Sequence, residues 1–360
     1  MTELPPIRVM VVDDDAESRA LISQVLGGCE DIRVVGVSTD GHRALLDAER
    51  LRPDVITLDL EMPHLGGFAF LRLLMARRPT PVIVVSGRGE RDQVFRALEL
   101  GALDFVAKPG ASPEATVLDL RSRLLMCVRS VRRLTKVRVS QHCIADTKQA
   151  PRLSQAERGR GPRPARSVAC VAASTGGPGV IETMLRGLAP GFEGTIVIAQ
   201  HMPARFTESF AARLDRRCAV AVREARDGER LMTGEVLVAP GQRNVILERR
   251  DSEVIVRVVT PGGLTQGLAS LAPNADVLFG SAAAVFGTAA CAVVLSGMGT
   301  DGLAGSGEIA KAGGRVLVQE PASAVLPSMP SSVVESGSST GVHPVADLAG
   351  ELGLFFVRFA

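Results

Sequence analysis

The sequence predicts an α/β chain of two units, an N-terminal five-stranded parallel sheet and a C-terminal doubly wound, mostly parallel sheet interrupted by an antiparallel hairpin. Three observations carry this. Short β-branched runs alternate with amphipathic stretches from Ile7 to about Leu125, the pattern of a parallel sheet covered on both faces. The alternation resumes, richer in Gly and Pro, from Ser167. Between them lies a basic segment with Gly159, Gly161, Pro162 and Pro164, the composition of a tether. The expected domains are therefore 1–125 and 167–360, with a linker over 126–166.

Composition agrees with two cores and excludes several classes. The chain has 360 residues, 46% of them hydrophobic, enough for two domains of ordinary size. A net charge of +2 and the absence of Trp and Tyr leave neither a basic field nor a stacking surface for nucleic acid. No apolar run approaches the roughly 18 residues of a membrane span, and Met1-Thr2-Glu3-Leu4-Pro5-Pro6 does not read as a signal peptide. A cytoplasmic protein, not inserted in a membrane, is expected. Six scattered cysteines without a C-x-x-C pair argue against a zinc site and a disulfide framework; Cys170 and Cys291 fall within apolar runs and read as core residues.

In the first unit the strands are expected at Arg8 to Val12, Arg33 to Val37, Val55 to Leu58, Val82 to Val85 and Phe105 to Ala107. Ligands bind such sheets at the carboxyl edge. At those ends stand Asp13-Asp14-Asp15, Asp59, Ser86 and Lys108-Pro109. Carboxylates converging from the first and third loops repel one another, so a hard divalent cation, Mg²⁺, is the natural neutraliser, and Lys108 would face an anion brought to it. A phosphoryl group fits. Taken alone, the three aspartates serve equally well as caps for the following helix.

With Asp59-Leu60-Glu61-Met62-Pro63, Ser86 and Lys108-Pro109 in place, residues 7 to 125 resemble the receiver domain of bacterial response regulators, a flavodoxin-like fold. The resemblance implies that Asp59 is the phosphoacceptor. It implies that Asp14 and Asp59 ligate Mg²⁺ directly, with the Glu61 backbone carbonyl as a further ligand and Asp13 assisting through water. Lys108 and Ser86 would contact the phosphoryl oxygens, and Phe105 matches an aromatic switch position, though it reads equally as a core ring. Gly66 stands where the family usually has Asp.

The segment after Leu125 accumulates Arg129, Arg132, Arg133, Lys136, Arg138, Lys148, Arg152, Arg158, Arg160, Arg163 and Arg166 against Asp146 and Glu157. Its first part continues the last helix to about Val139 as a pattern. A solvated tether is the favoured reading over a patch for an acidic partner.

In the second unit strands are expected at Val168 to Ala172, Thr195 to Ala199, Ala219 to Val222, Ala292 to Leu295 and Val316 to Val318. Runs beginning at Val236, Asn244 and Glu253 are too closely spaced for crossover helices and predict an antiparallel excursion. Three polar residues follow strands: Ser174 in Ala173-Ser174-Thr175-Gly176-Gly177, His201 after Gln200, and Asp301 after Gly297-Met298-Gly299-Thr300. In a parallel sheet these ends share one edge, so a nucleophile, a base and a carboxylate that orients the base can meet there. Singly, Ser174 and Asp301 read as helix caps or turn residues and His201 as a packing residue. Jointly, with glycines that let backbone amides approach a substrate, they read as hydrolase geometry.

These motifs, with Gln200-His201-Met202-Pro203, Asp227-Gly228-Glu229-Arg230 and Ala239-Pro240-Gly241, are similar to the chemotaxis protein-glutamate methylesterase family (CheB) over most of the chain. The resemblance implies a Ser174, His201, Asp301 triad that hydrolyses glutamate methyl esters and deamidates glutamines on chemoreceptors. Amides of Thr175 and Met298 would support the oxyanion. It implies a chemotaxis histidine kinase as phosphoryl donor, methylated chemoreceptor cytoplasmic helices as substrate, Mg²⁺ for the receiver and no cofactor for hydrolysis. Residues 261–273 depart from the family's Arg- and His-containing loop, and this departure favours an alternative, a non-catalytic receiver-coupled binding module. A DNA-binding output is a poor third reading, because the C-terminal half is a large, Gly-rich α/β unit without a basic recognition helix or an appropriate small domain.

Overall fold

A computed structural model of the chain describes residues 4–87, 91–110, 116–134, 163–204, 206–261 and 272–359. Most of the basic tether (135–162) and of the divergent loop (262–271) lies outside the described residues. The chain divides into two compact units, Met1–Thr147 and Lys148–Ala360.

The first unit runs β1 (Ile7–Val12), α1 (Ala16–Gly27), β2 (Ile32–Ser38), α2 (Gly41–Leu51), β3 (Val55–Leu58), α3 (Gly67–Arg77), β4 (Val82–Ser86), α4 (Arg91–Glu99), β5 (Asp104–Ala107) and α5 (Val117–Ser130). All neighbours in the order β2-β1-β3-β4-β5 are parallel. The strands in the middle are covered on both faces, so β3 and β4 are buried at every position and β1 exposes only Arg8. Side chains start the helices: Asp15 accepts the Ser18 amide at 2.7 Å, and Thr116 and Asp119 form a reciprocal capping box on α5. Helix α5 ends at Ser130 and a single 3₁₀ turn follows over Val131–Arg133; the remainder of the expected extension to Val139, from residue 135 on, lies outside the described residues.

The second unit runs β6 (Val168–Ala173), α6 (Gly177–Arg186), β7 (Thr195–Gln200), α7 (Phe206–Arg217), β8 (Ala221–Glu224), β9 (Glu235–Val238), β10 (Asn244–Arg250), β11 (Glu253–Val259), α8 (Ala275–Phe286), β12 (Ala290–Val294), α9 (Leu303–Lys311), β13 (Arg315–Gln319), α10 (Ser328–Glu335), β14 (Gly341–His343) and α11 (Val345–Val357). Seven strands form one sheet in the order β14-β13-β12-β6-β7-β9-β8, and β10 and β11 form a separate antiparallel hairpin. The strand order reverses beside β6, whose neighbours are β7 on one side and β12 on the other. That reversal opens the crevice in which α/β sheets bind ligands.

One expectation is corrected. The run at Val236 is not part of the antiparallel excursion; as β9 it lies in the main sheet, parallel to both β7 and β8. The connection from β8 to β9 contains no helix. Its backbone pairs with β11 instead, with Gly228 and Leu231 amides donating to Val256 and Val254 carbonyls at 2.9 and 2.8 Å. The hairpin thereby takes the covering role of a crossover helix, burying Val245, Leu247, Val254 and Val256 in one core with α8 and β6. On the other face Glu182 of α6, buried, accepts from Arg213 and Arg217 of α7. Removing either side of such a buried pairing costs about 3 to 5 kcal/mol.

Candidate functional site

In the first unit the carboxyl edge gathers Asp13, Asp14 and Asp59, whose carboxylate oxygens lie within 4.8 Å of one another. Asp15 is the helix cap, which frees Asp13 and Asp14 from that role. Lys108 Nζ reaches Asp59 Oδ2 at 2.5 Å and Asp13 Oδ2 at 2.9 Å. Burial pushes the Asp13 carboxyl up despite Lys108. Burial also works against the Lys108 charge, but Asp59 and Asp13 outweigh it and hold the ammonium above its ordinary value.

This donor set, three carboxylates with no thiol or imidazole among them, suits a hard cation that keeps several waters, as Mg²⁺ does. The Glu61 amide donates to Asp59 Oδ1 at 3.1 Å, which places its peptide beside the same carboxylate. Ser86 Oγ is buried at the end of β4 without a hydrogen-bond partner among the described residues, a polar atom suited to a phosphoryl oxygen. Phe105 is buried and packs edge-on against Phe95 with centroids 6.4 Å apart, so it belongs to the core as it stands.

In the second unit the three adjacent strands β12, β6 and β7 bring Asp301, Ser174 and His201 to one edge. Their ends are tied together: the Ser174 amide donates to the Ser296 carbonyl at 3.0 Å and the His201 amide to the Ala173 carbonyl at 2.9 Å. Ser174 is not a helix cap, because Gly176 occupies the N-cap of α6. Nor does Asp301 cap its own helix; Gly302 stands at the N-cap of α9. The Asp301 carboxylate instead reaches the start of α8, accepting the Ala275 amide on Oδ2 at 2.8 Å and the Asp276 amide on Oδ1 at 3.1 Å. A helix N-terminus favours an anion there.

His201 Nε2 lies 2.7 Å from Asp301 Oδ2, and both side chains are buried. Burial alone would push the Asp301 carboxyl up. The His201 hydrogen bond and the two amides outweigh it and hold the carboxyl below its ordinary value. An ionised carboxylate only accepts, so Nε2 carries the ring proton and Nδ1 the lone pair. Nδ1 is buried and has no hydrogen-bond partner among the described residues. Asp276 returns the favour to α9 by accepting the Gly305 amide at 2.8 Å. Burial, joined by the Asp301 charge, pushes the Asp276 carboxyl up to about 6.

Two backbone amides proposed for the oxyanion are turned by their own peptide planes. The Ser174 carbonyl accepts from the Gly177 amide at 2.8 Å, and the Gly297 carbonyl from the Met329 amide at 3.1 Å. Peptides are planar and trans, so the N–H groups of Thr175 and Met298 point opposite to those two anchored carbonyls. Gly297 also lies against the nucleophile: a Cβ there would stand 2.9 Å from Ser174 Cβ. Buried thiols take no part. Burial holds Cys170 well above the ordinary thiol value and pushes Cys291 up to about 12.

Sequence reasoning missed the amides at the start of α8, Asn274 that caps it, and the Gln200 side chain. A signal existed only for Gln200, a polar residue closing an otherwise apolar buried strand.

A five-stranded sheet with an acidic pocket at its edge, followed by a seven-stranded α/β unit with a buried His–Asp pair beside a serine, defines a response regulator with a hydrolase-type output. The family model for the response regulator receiver domain matches residues 9–117, and that for CheB methylesterase matches residues 169–352. The chain belongs to the CheB methylesterase family. A "Protein-glutamate methylesterase/protein-glutamine glutaminase 6" of Anaeromyxobacter dehalogenans is 44% identical over 92% of this chain and 91% of its own length. A "Protein-glutamate methylesterase/protein-glutamine glutaminase 3" of Geobacter sulfurreducens is 40% identical over 92% of each. Among solved structures, the catalytic domain of Thermotoga maritima CheB methylesterase is 32% identical over 52% of this chain and 96% of its own, with a TM-score of 0.49.

Proposed function

We propose that this chain is a phosphorylation-regulated serine hydrolase that demethylates glutamate γ-methyl esters, and deamidates glutamines, on the cytoplasmic helices of chemoreceptors. The reading divides the chain into a receiver over 1–125, a tether over 126–166 and a catalytic unit over 167–360. The observation that carries it is the buried 2.7 Å pairing of His201 Nε2 with Asp301 at the strand ends beside Ser174. Family membership supports the substrate class.

With Asp301 on Nε2, the base is Nδ1. It takes the Ser174 proton as Oγ attacks the ester carbonyl, and the imidazolium that forms is stabilised by Asp301. The tetrahedral oxyanion is met by the Thr175 and Met298 N–H groups, each such donor being worth about 3 to 4 kcal/mol. Collapse expels methoxide, which takes the proton from Nδ1 and leaves as methanol. Water then attacks the acyl-enzyme, giving its proton to Nδ1, and releases glutamate and free Ser174. Deamidation follows the same path with ammonia as leaving group.

In the receiver, Asp59 accepts a phosphoryl group from a chemotaxis histidine kinase, with Lys108 and Ser86 on its oxygens. Asp14, Asp59 and the Glu61 carbonyl would hold Mg²⁺, with Asp13 beside them, and the ion supplies charge neutralisation for phosphoryl transfer. Phosphorylation raises hydrolase activity.

The test is release of labelled methanol from methylated receptors, with and without phosphorylation, by wild type and Ser174→Ala. Loss of release in Ser174→Ala and stimulation by phosphorylation in wild type are expected. A Ser174→Ala protein as active as wild type overturns the catalytic assignment; release indifferent to phosphorylation overturns the regulation.

A further inference from the structure

We infer that Gln200 is a positioning residue of the catalytic centre, holding the Ser174–Thr175 peptide and the His201 backbone in one fixed relation; this rests on the hydrolase reading above. Gln200 is the last residue of β7 and is 2% exposed. Its side-chain amide donates one N–H to the Ser174 carbonyl at 2.9 Å and the other to the His201 carbonyl at 3.1 Å. A primary amide has two donors in one plane. Here both are spent on the carbonyls of the nucleophile and the base.

The consequence lies in the first of those carbonyls. It accepts two hydrogen bonds, from Gln200 and from the Gly177 amide, and so cannot rotate. Because the peptide is planar, the direction of this carbonyl sets the direction of the Thr175 N–H on the opposite side. Gln200 therefore aims an oxyanion donor that it never touches. The second carbonyl fixes the peptide that follows His201, the chain segment from which the imidazole reaches Asp301.

The surroundings hold the amide's NH2 end by hydrogen bonds and its oxygen by packing, since Oε1 is buried with no hydrogen-bond partner among the described residues. Its Oε1 fills the place of a Cβ at Gly177, since a methyl built there would stand 2.1 Å from it. The second glycine of the Ser174 turn thus accommodates a side chain from the neighbouring strand. Other residues of similar size fail here for a chemical reason. Glutamate is isosteric but directs a carboxylate at two carbonyl oxygens, and asparagine is one methylene too short to span both.

The experiment compares Gln200→Glu, Gln200→Asn and Ser174→Ala with wild type in the full-length protein. Three quantities are measured: kcat and KM for methanol release from a methylated receptor fragment, the second-order rate of inactivation by a fluorophosphonate, and the melting temperature. Misaligning one oxyanion donor and the base predicts a fall of about 10- to 100-fold in kcat. The fluorophosphonate rate should fall in parallel, because attack by Ser174 Oγ makes phosphorus five-coordinate and builds negative charge on the phosphoryl oxygen at the oxyanion position before fluoride leaves. KM should stay within twofold.

A residue that only supports the fold would instead lower the melting temperature while leaving kcat per folded molecule intact, and that result overturns the inference. So does a Gln200→Glu enzyme within twofold of wild type when Ser174→Ala is dead. If Ser174→Ala is itself active, the hydrolase reading fails instead. Should Gln200→Glu not fold, Gln200→Asn, which keeps an uncharged amide, decides by the same criteria.

Discussion

Gly297→Ala tests how closely the nucleophile is packed. A methyl group at this position would stand 2.0 Å from Met329 Sδ, 2.9 Å from Ser174 Cβ and 3.1 Å from the Ser174 amide nitrogen. The first contact is with a flexible side chain, but one with no exposure to move into. The other two are with the nucleophile itself. Overpacking of this kind costs about 1 to 3 kcal/mol, which lowers the melting temperature of a unit this size by about 2 to 12 °C.

The larger effect is catalytic. Relieving the clash moves Ser174 or the Gly297–Met298 peptide by a substantial fraction of an ångström, and a misplacement of about 1 Å costs about 100-fold in rate. Adding Met329→Ala removes the contact with sulfur and leaves the contacts with Ser174. The double variant should therefore melt above the sum of the two single losses, a coupling expected of neighbouring residues, while kcat stays depressed. Methanol release and thermal melts measure both, with receiver phosphorylation as the internal control for folding of the first unit. A Gly297→Ala protein whose kcat lies within twofold of wild type would refute the packing described for Ser174.

Two further outcomes concern ionisable groups. Burial lifts the Asp276 carboxyl to about 6, above its unfolded value. Such a group is protonated in the fold before it is in the unfolded chain, so its contribution to stability is complete below about pH 4 and is lost as pH rises through 6. Asp276→Asn should then gain in melting temperature relative to wild type between pH 4 and pH 7, and an equal difference at both pH values contradicts the burial effect. In the receiver, Asp59→Asn should abolish labelling by acetyl phosphate and EDTA should do the same to wild type; labelling that survives chelation removes Mg²⁺ from the scheme.

The first unit was legible in the sequence because its strands are continuous β-branched runs: the expected Val55 to Leu58 is β3 to the residue, and the other four differ only at their ends. The same holds for β6 and β7. Strand β9 was misassigned because spacing distinguishes a hairpin from a crossover only when the crossover is helical. Here an extended connection bonded to β11 replaces the helix. Strand β14, three residues at a sheet edge, is too short to announce itself.

Ser174, His201 and Asp301 were readable as polar residues at strand ends, which is a local property. What Asp301 bonds to was not, since the start of α8 lies about 25 residues upstream and meets it only after both helices dock. Gln200 was visible as part of a motif, but its two acceptors were not, because a side chain's bonding partners are a property of the packed edge.

The exchange of carboxylates between α8 and α9 bears on how the site comes into being. Asp301, just before α9, completes the first turn of α8, and Asp276, in the first turn of α8, completes that of α9. Neither helix has its full set of partners until the other has docked, so the two form one cooperative unit. The carboxylate that orients His201 is thus absent from any state in which either helix is detached. Hydrogen exchange at the Ala275, Asp276 and Gly305 amides should report a single shared opening, and catalytic competence should appear in refolding at the moment that opening closes.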